Sequence, residues 1–219
     1  MVAVATLLIE RLTIRPLINE NFLSIVTITL GLEFLIANLS INFFGGRAES
    51  LRIPGDIQFK NFEIGGVRFN WWHVVILIST FIILAIVGYI VNRTELGLAM
   101  RAFAEDKDAA RLMGIKESTV SQWTWTLSVT VGGLAGILFA PVLFLQQDYM
   151  NIPFIKGFVA AILGGFTSLS GGVLGGLLLG ELEAFAVKYA PRQMAAALPV
   201  IIVFFILLIR PRGLFTRAK

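Results

Sequence analysis

The chain has no cysteine among its 219 residues and a single histidine, His73. No disulfide framework or thiolate site can therefore form, and a histidine-based metal cluster is excluded. Charge is scarce too: 15% of residues are charged and 57% are hydrophobic, whereas an ordinary soluble domain carries about 25% charged residues. With a mean hydropathy of +0.83, this composition describes an integral membrane protein. There is no G-x-x-x-x-G-K-[ST] phosphate loop, because Gly165–Gly171 has the wrong spacing and no lysine, so the chain itself hydrolyses no ATP. No Ser/His/Asp set can be assembled around one histidine placed at an interface. No catalytic residue, cofactor or metal is expected. Met1–Ile9 is apolar but has neither the basic flank nor the small-residue cleavage site of a signal peptide. The Asn-x-Ser/Thr matches at Asn38 and Asn92 fall in a span and at a cytoplasmic edge, and are chance.

What the chain does have is membrane-length apolar runs. A span needs about 20 apolar residues. Residues 22–40 qualify with one charge, Glu33, and residues 74–91 and 123–145 qualify with none. Residues 195–209 are short but extend back through Gln193 and Met194. The region 157–187 contains a charge-free run, 157–180, interrupted by Gly-Gly-Phe-Thr-Ser-Leu-Ser-Gly-Gly at Gly164–Gly172. Met1–Ile9 is too short to cross alone and reads as the end of a missing span. The expected fold is a single all-α membrane domain over 1–219, a polytopic helical bundle with a broken, Gly-rich helix pair.

Basic residues set the orientation. The formal charge is +4 and the pI is about 9.7. Eleven of the 18 Lys and Arg fall in residues 10–21, 92–122 and the tail from 210, which should be cytoplasmic. Residues 41–73 and 146–157 are then external. The stretch 158–187 must start and finish outside, so it crosses twice or re-enters, with the glycine break at the turn; a merely kinked helix is the alternative. Non-helical backbone at membrane depth survives only where it is buried in protein or lines a cavity, which places the break near a pathway. Within 41–73, residues 57–70 alternate loosely around Gly65-Gly66 and predict a hairpin. Trp71-Trp72 and Trp123/Trp125 suit interfacial aromatic belts.

Three features stand out as functional candidates. The first is a charged island after Asn92, where Asp108-Ala109-Ala110 is followed four residues later by Gly114. Charged residues keep it in water, and its small residues leave room for another surface, so it reads as a docking element; a solvated connecting loop is the alternative. Second, Gly172, Gly176 and Gly180 recur at four-residue spacing, shadowed by Gly171 and Gly175, with Gly132 and Gly136 repeating the pattern. Small residues on one face let helices pack closely in lipid. Around the break, Gly164 and Gly165 with Thr167, Ser168 and Ser170 could instead present backbone N–H groups to a substrate carboxylate, as broken helices do in some transporters. Third, Glu33 sits inside its span, and an intramembrane acid is costly. It either attracts a substrate ammonium in a wet cavity or is hydrogen-bonded with Asn38, a serine or a threonine. Glu181 and Glu183 lie near a helix end and read as interfacial.

The island resembles the cytoplasmic loop of ATP-binding-cassette importer permeases, patterned Glu-Ala-Ala, three residues, Gly, with Asp108 here in place of Glu. The downstream Ile-x-Leu-Pro of that pattern is absent. Nearly the whole chain resembles branched-chain amino-acid permeases of the H type. The matching pieces are Ile9-Glu10-Arg11 through Arg15-Pro16-Leu17, Thr94-Glu95-Leu96-Gly97 with Met100-Arg101-Ala102, and Ala109 to Ile115. Phe158 to Gly165, Gly171–Gly180 and Arg210-Pro211-x-Gly213-Leu214 continue the match. Family members usually begin with spans upstream of Glu10, so a truncated start, a fragment or an unusually short member is expected.

The resemblance implies a permease subunit of the prokaryotic plasma (inner) membrane with no cofactor. Its partners would be a homologous second permease, two ATPase subunits and an extracytoplasmic amino-acid-binding protein. Loop 92–122 then carries a cytoplasmic coupling helix that docks the ATPase through Glu105, Asp106, Asp108, Ala109, Ala110, Arg111 and Gly114. The hairpin at 57–70 and the loop at 146–157 are candidate contacts for the binding protein. Urea or short-chain amide uptake is the rival within the family, an ion-coupled secondary transporter using Glu33 lies outside it, and a membrane scaffold whose charged loop recruits a soluble partner is the non-transport reading.

Overall fold

The structure, a computed structural model, describes residues 22–53, 57–65, 67–165, 168–189, 191, 201, 202, 204 and 208. The chain start, Thr167, most of the expected 193–209 span and the basic tail lie outside the described residues. The chain forms two compact units, residues 1–147 and 148–219, and among the described residues the regular structure is helical apart from one small hairpin.

In the first unit, α1 runs Phe22–Phe44, and its last residue is followed by a loop and a short 3-10 turn at Ile57–Phe59. Strands β1 (Asn61–Ile64) and β2 (Val67–Asn70) pair antiparallel, with Phe62 opposite Phe69 and Glu63 opposite Arg68. The hairpin expected around Gly65-Gly66 is therefore present, and Gly65 takes a positive φ of 59° at its turn, where a side chain would be strained. Asn70 ends β2 and caps the next helix: its side-chain oxygen accepts from Trp72 N at 2.7 Å, satisfying one of the donors every helix start leaves open.

Helix α2 spans Trp71–Arg93, 23 residues, about 34 Å at 1.5 Å per residue. It has no buried residue within the chain, as expected of an apolar rod whose solvent is lipid. Helix α3 (Glu95–Glu105) and the short α4 (Lys107–Leu112) follow, then α5 (Glu117–Phe139). The run expected at 123–145 is thus helical from Glu117 and stops at Phe139. Pro141 lies just beyond, and a proline cannot continue the ladder; Val142 N and Leu143 N both bond back to Phe139 O at 2.9 Å. In α5 the hydroxyls of Thr124, Thr126 and Thr130 donate to carbonyls four residues earlier, which hides polar atoms an apolar surround would penalise. Two ties hold the loop after α1 and the start of α2 to the end of α5 and the residues just beyond it. Glu49 and Leu145 exchange both backbone bonds, at 3.0 and 2.7 Å, and Trp72 Nε1 donates to Leu138 O at 3.0 Å.

In the second unit, α6 (Asn151–Gly164) and α7 (Leu169–Tyr189) lie antiparallel. Pro153 fits the first turn of α6, where its missing N–H has no intrahelical partner to lose. The break at Gly164–Gly172 is a turn between two helices rather than a kink. With 14 residues, about 21 Å, α6 is shorter than the roughly 30 Å hydrocarbon core. Val159, Leu163 and Leu179 form the buried core of this unit, with Ile202 packed against it. Among the described residues, Thr27–Phe44, Trp71–Arg93 and Leu169–Tyr189 are long and apolar enough to cross a membrane.

Candidate functional site

Two places carry most of the sequence candidates, one in each unit, and Glu33 stands apart from both. The first is the loop from Thr94 to Glu117. Thr94 is an elbow: its hydroxyl donates to Ile90 O at 2.5 Å and accepts from Gly97 N at 3.1 Å, so one side chain closes α2 and opens α3. Gly97 is buried at that elbow, and a Cβ there would collide with the carbonyl oxygens of Ile90 and Val91. Only glycine lets α3 turn back so tightly on the span.

Asp106 is a second elbow. Its N–H bonds to Ala102 O to finish α3, and its carboxylate accepts from Asp108 N at 2.9 Å and Ala109 N at 3.0 Å to start α4. A charged cap at a helix N-terminus also meets the favourable end of the helix dipole. At the other end, Ile115 N bonds to Ala110 O at 3.1 Å and Gly114 N to Arg111 O at 2.9 Å, with Gly114 at φ 83°. This is a Schellman motif, which calls for a left-handed residue at that position. An added Cβ on Gly114 would meet nothing within 4 Å, so its glycine answers a backbone need, not a close approach. Arg111 pairs with Asp108 at 3.4 Å and with Glu117 more closely, tying α4 to the start of α5. The Glu117 side-chain bond and charge hold the Arg111 guanidinium above its usual value.

The loop is thus a capped, braced unit rather than a slack connection. Ala110 is buried at 4% exposure within the chain, so its small size serves the loop's own packing, while Ala109, Asp106, Asp108 and Glu105 are exposed. The outward tip is apolar: Leu112 is 88% and Met113 82% exposed. Sequence reasoning passed over this pair as docking residues. The available signal was two apolar residues placed directly before Gly114 in an otherwise charged stretch.

The second place is the turn between α6 and α7. Gly165 ends α6 with φ 88°, its N–H bonded to Ile162 O. Ser168 then opens α7, its hydroxyl accepting from Gly171 N at 3.0 Å and lying 3.2 Å from the Ser170 hydroxyl, while Gly172 N bonds to Ser168 O at 2.9 Å. Thr167 lies outside the described residues. The backbones of Gly164 and Gly171 touch, so a Cβ on either would overlap the other. One turn on, a Cβ on Gly175 would collide with Ala160 O and lie 2.9 Å from Gly164 N. The tight approach therefore runs along Gly171 and Gly175. Gly172 and Gly180 have nothing within 4 Å of a built Cβ, and Gly176 has only an ordinary contact to Ala160 at 3.7 Å. One residue turns a helix by roughly 100°, which puts Gly172, Gly176 and Gly180 on the neighbouring face. At the open end of the hairpin, Lys156 Nζ donates to Glu183 Oε2 at 2.7 Å.

Glu33 is exposed near the middle of α1, and no described residue bonds its carboxylate. Asn38, the partner considered for it, donates instead to Phe34 O of its own helix at 2.7 Å. Among the described residues no cluster of His, Asp and Glu suits a metal ion.

Residues 1–209 match the family described as branched-chain amino acid transport system / permease component. The high-affinity branched-chain amino acid transport system permease protein BraD of Pseudomonas aeruginosa is 29% identical over 218 residues, covering 96% of this chain and 70% of the relative. The corresponding LivH protein of Escherichia coli is 27% identical over 214 residues, with coverages of 96% and 70%. The probable branched-chain amino acid transport permease protein LivH of Methanocaldococcus jannaschii is 28% identical over 220 residues, with coverages of 94% and 69%. No solved structure matches the chain significantly.

Proposed function

The chain belongs to the branched-chain amino acid transport system permease family, and from that premise we propose how this subunit works. It is a multi-pass permease subunit of an ATP-binding-cassette importer in the prokaryotic plasma membrane. In our reading it forms, with a homologous second permease, the path for branched-chain or related amino acids. An extracytoplasmic binding protein delivers the substrate and two separate ATPase subunits supply the work.

The observation that carries this reading is the braced loop 94–117 with Leu112 and Met113 bare at its tip. An ATPase that drives a membrane bundle must push on something stiff. The elbows at Thr94 and Asp106, the Schellman turn at Gly114 and the Arg111 pairs provide stiffness without any burial in lipid. The apolar tip supplies contact area, and the surrounding Glu105, Asp106, Asp108 and Arg111 set register by charge complementarity. Coupling then requires that ATP and loaded binding protein each favour a different arrangement of the same bundle.

The substrate path is assigned to Glu33 and to the α6–α7 turn with Gly164, Gly165, Thr167, Ser168 and Ser170. Irregular backbone at membrane depth needs protein or a wet cavity beside it, and our reading sets the α6–α7 turn at that depth. The open face of Gly172, Gly176 and Gly180 is available to pack a further helix. The bond between Glu49 and Leu145 supports placing residues 41–73 and the chain just after α5 on one side of the membrane, opposite the loop 92–122.

The test is uptake by vesicles containing the permease pair, with and without ATPase subunits and binding protein. Leucine, isoleucine or valine uptake that needs both partners supports the proposal. Uptake of urea or short amides under the same conditions would change the substrate, and uptake by this chain alone on an ion gradient would overturn the importer mechanism.

A further inference from the structure

The β1–β2 hairpin is two-faced. In its register Phe62 stands opposite Phe69 on one side, and Glu63 opposite Arg68 on the other. The polar side is an ion pair at 2.6 Å, largely in solvent. On the other side the Phe62 and Phe69 rings stack at 5.6 Å, yet Phe69 remains 44% exposed. A lone two-stranded hairpin is marginal in water and needs cover for an apolar face. No described residue of this unit supplies that cover for Phe69.

The neighbouring span indicates what does. Strand β2 passes into α2 with no residue between Asn70 and Trp71, and Phe62 packs on Trp71 with ring centroids 4.7 Å apart. At roughly 100° per residue, Trp71 shares its face of α2 with Ile78, Ile82 and Tyr89, all of them about half exposed or more. That face, on which Val75 and Ala85 lie between these residues, has Ala85 as its one small residue and no glycine or serine, whereas faces where helices pack on one another in lipid are enriched in small residues. It is the composition of a lipid-facing surface.

Its ends are aromatic. Trp71 and Tyr89 lie 18 residues apart on one face, about 27 Å along the axis, close to the roughly 30 Å thickness of the hydrocarbon core. Tryptophan and tyrosine favour the two membrane–water boundaries. Trp71 thus sits at one boundary, and a ring 4.7 Å away is held at nearly the same depth. We propose that the hairpin lies on the bilayer surface as an anchor, with its Phe62/Phe69 face among the lipid headgroups and upper acyl chains and its Glu63/Arg68 face in water.

The absence of native cysteine makes the test direct. Single variants Phe69→Cys and Arg68→Cys of the full chain carry nitroxide labels after reconstitution into phosphatidylethanolamine/phosphatidylglycerol vesicles. Collision of each label with oxygen, which partitions into lipid, is compared with collision with a water-soluble nickel chelate. The label at 69 should show a several-fold higher ratio of oxygen to nickel access than the label at 68. Equal ratios overturn the proposal, and so does a label at 69 closed to both reagents, since that means protein covers this face. Should Phe69→Cys disturb the hairpin, the unlabelled chain answers through Trp71. The fluorescence lost on Trp71→Phe should be quenched more by lipids brominated near the headgroup end of the acyl chain than near the methyl end. Fluorescence unaffected by either lipid refutes the placement.

Discussion

Replacing Leu112 and Met113 together with serine probes the handle at its tip. Full burial of a leucine or methionine side chain is worth about 1.5–3 kcal/mol. Leu112 is 88% and Met113 82% exposed in the subunit alone, so nearly all of that gain is still to be collected when a partner covers them, roughly 2.5–5 kcal/mol for the pair. Ordering two flexible side chains takes back about 0.5–1.5 kcal/mol each. A net loss of about 1.5–2 kcal/mol per loop remains, and at 1.4 kcal/mol per decade the ATPase should bind about 10- to 30-fold more weakly. Because both side chains already lie in solvent, the substitutions should leave the fold and membrane insertion untouched. The assay is titration of ATPase subunits onto the permease in nanodiscs, with thermal stability of the isolated permease as the control. ATPase affinity within about twofold of the parent, a change below about 0.4 kcal/mol, would refute the assignment of this tip to the motor.

Other substitutions separate backbone need from contact. Gly175→Ala should destabilise the α6–α7 hairpin by about 1–3 kcal/mol through overpacking, because its Cβ meets the Ala160 carbonyl; Gly180→Ala, with open space around it, should not, and steric-trap unfolding in bicelles distinguishes the two. Gly114→Ala should cost about 1–2 kcal/mol locally, the strain of a left-handed alanine, seen as faster hydrogen exchange at Gly114 and Ile115 with exchange in α2 unchanged. Lys156→Ala and Glu183→Ala should show a coupling of about 1 kcal/mol in a double-mutant cycle. That figure already allows for a lysine side chain 43% exposed, and the swap K156E/E183K should recover most of the loss.

Much of the fold was legible from residue order because it rests on local signals. Alternation around Gly65 announced the hairpin, and the glycine run at Gly164–Gly172 announced the turn between two helices. Hydropathy placed the third run at 123–145, six residues late at its start, because the polar first turns of α5 carry no apolar signal and Pro141 stops the helix before the apolar run ends. The candidate sites were harder for a physical reason. Which of two adjacent glycine rows meets α6 depends on helix rotation, and the same four-residue spacing is present in both. In the loop, the spacing of Ala109, Ala110 and Gly114 drew attention, yet Ala110 turns inward and Gly114 serves a turn. Leu112 and Met113 face out only because the Schellman motif reverses the chain at that point, which depends on hydrogen bonds more than on composition.

The claim on which the rest turns is that the loop between α2 and α5 is the part a separate motor holds. A photo-crosslinking residue at position 113, in the fully assembled importer within membranes, tests it most directly. Adducts with the ATPase subunits, and a shift in their yield when ATP binds, are the predicted result. Adducts with the extracytoplasmic binding protein, or none with the ATPase at any nucleotide state, would contradict it.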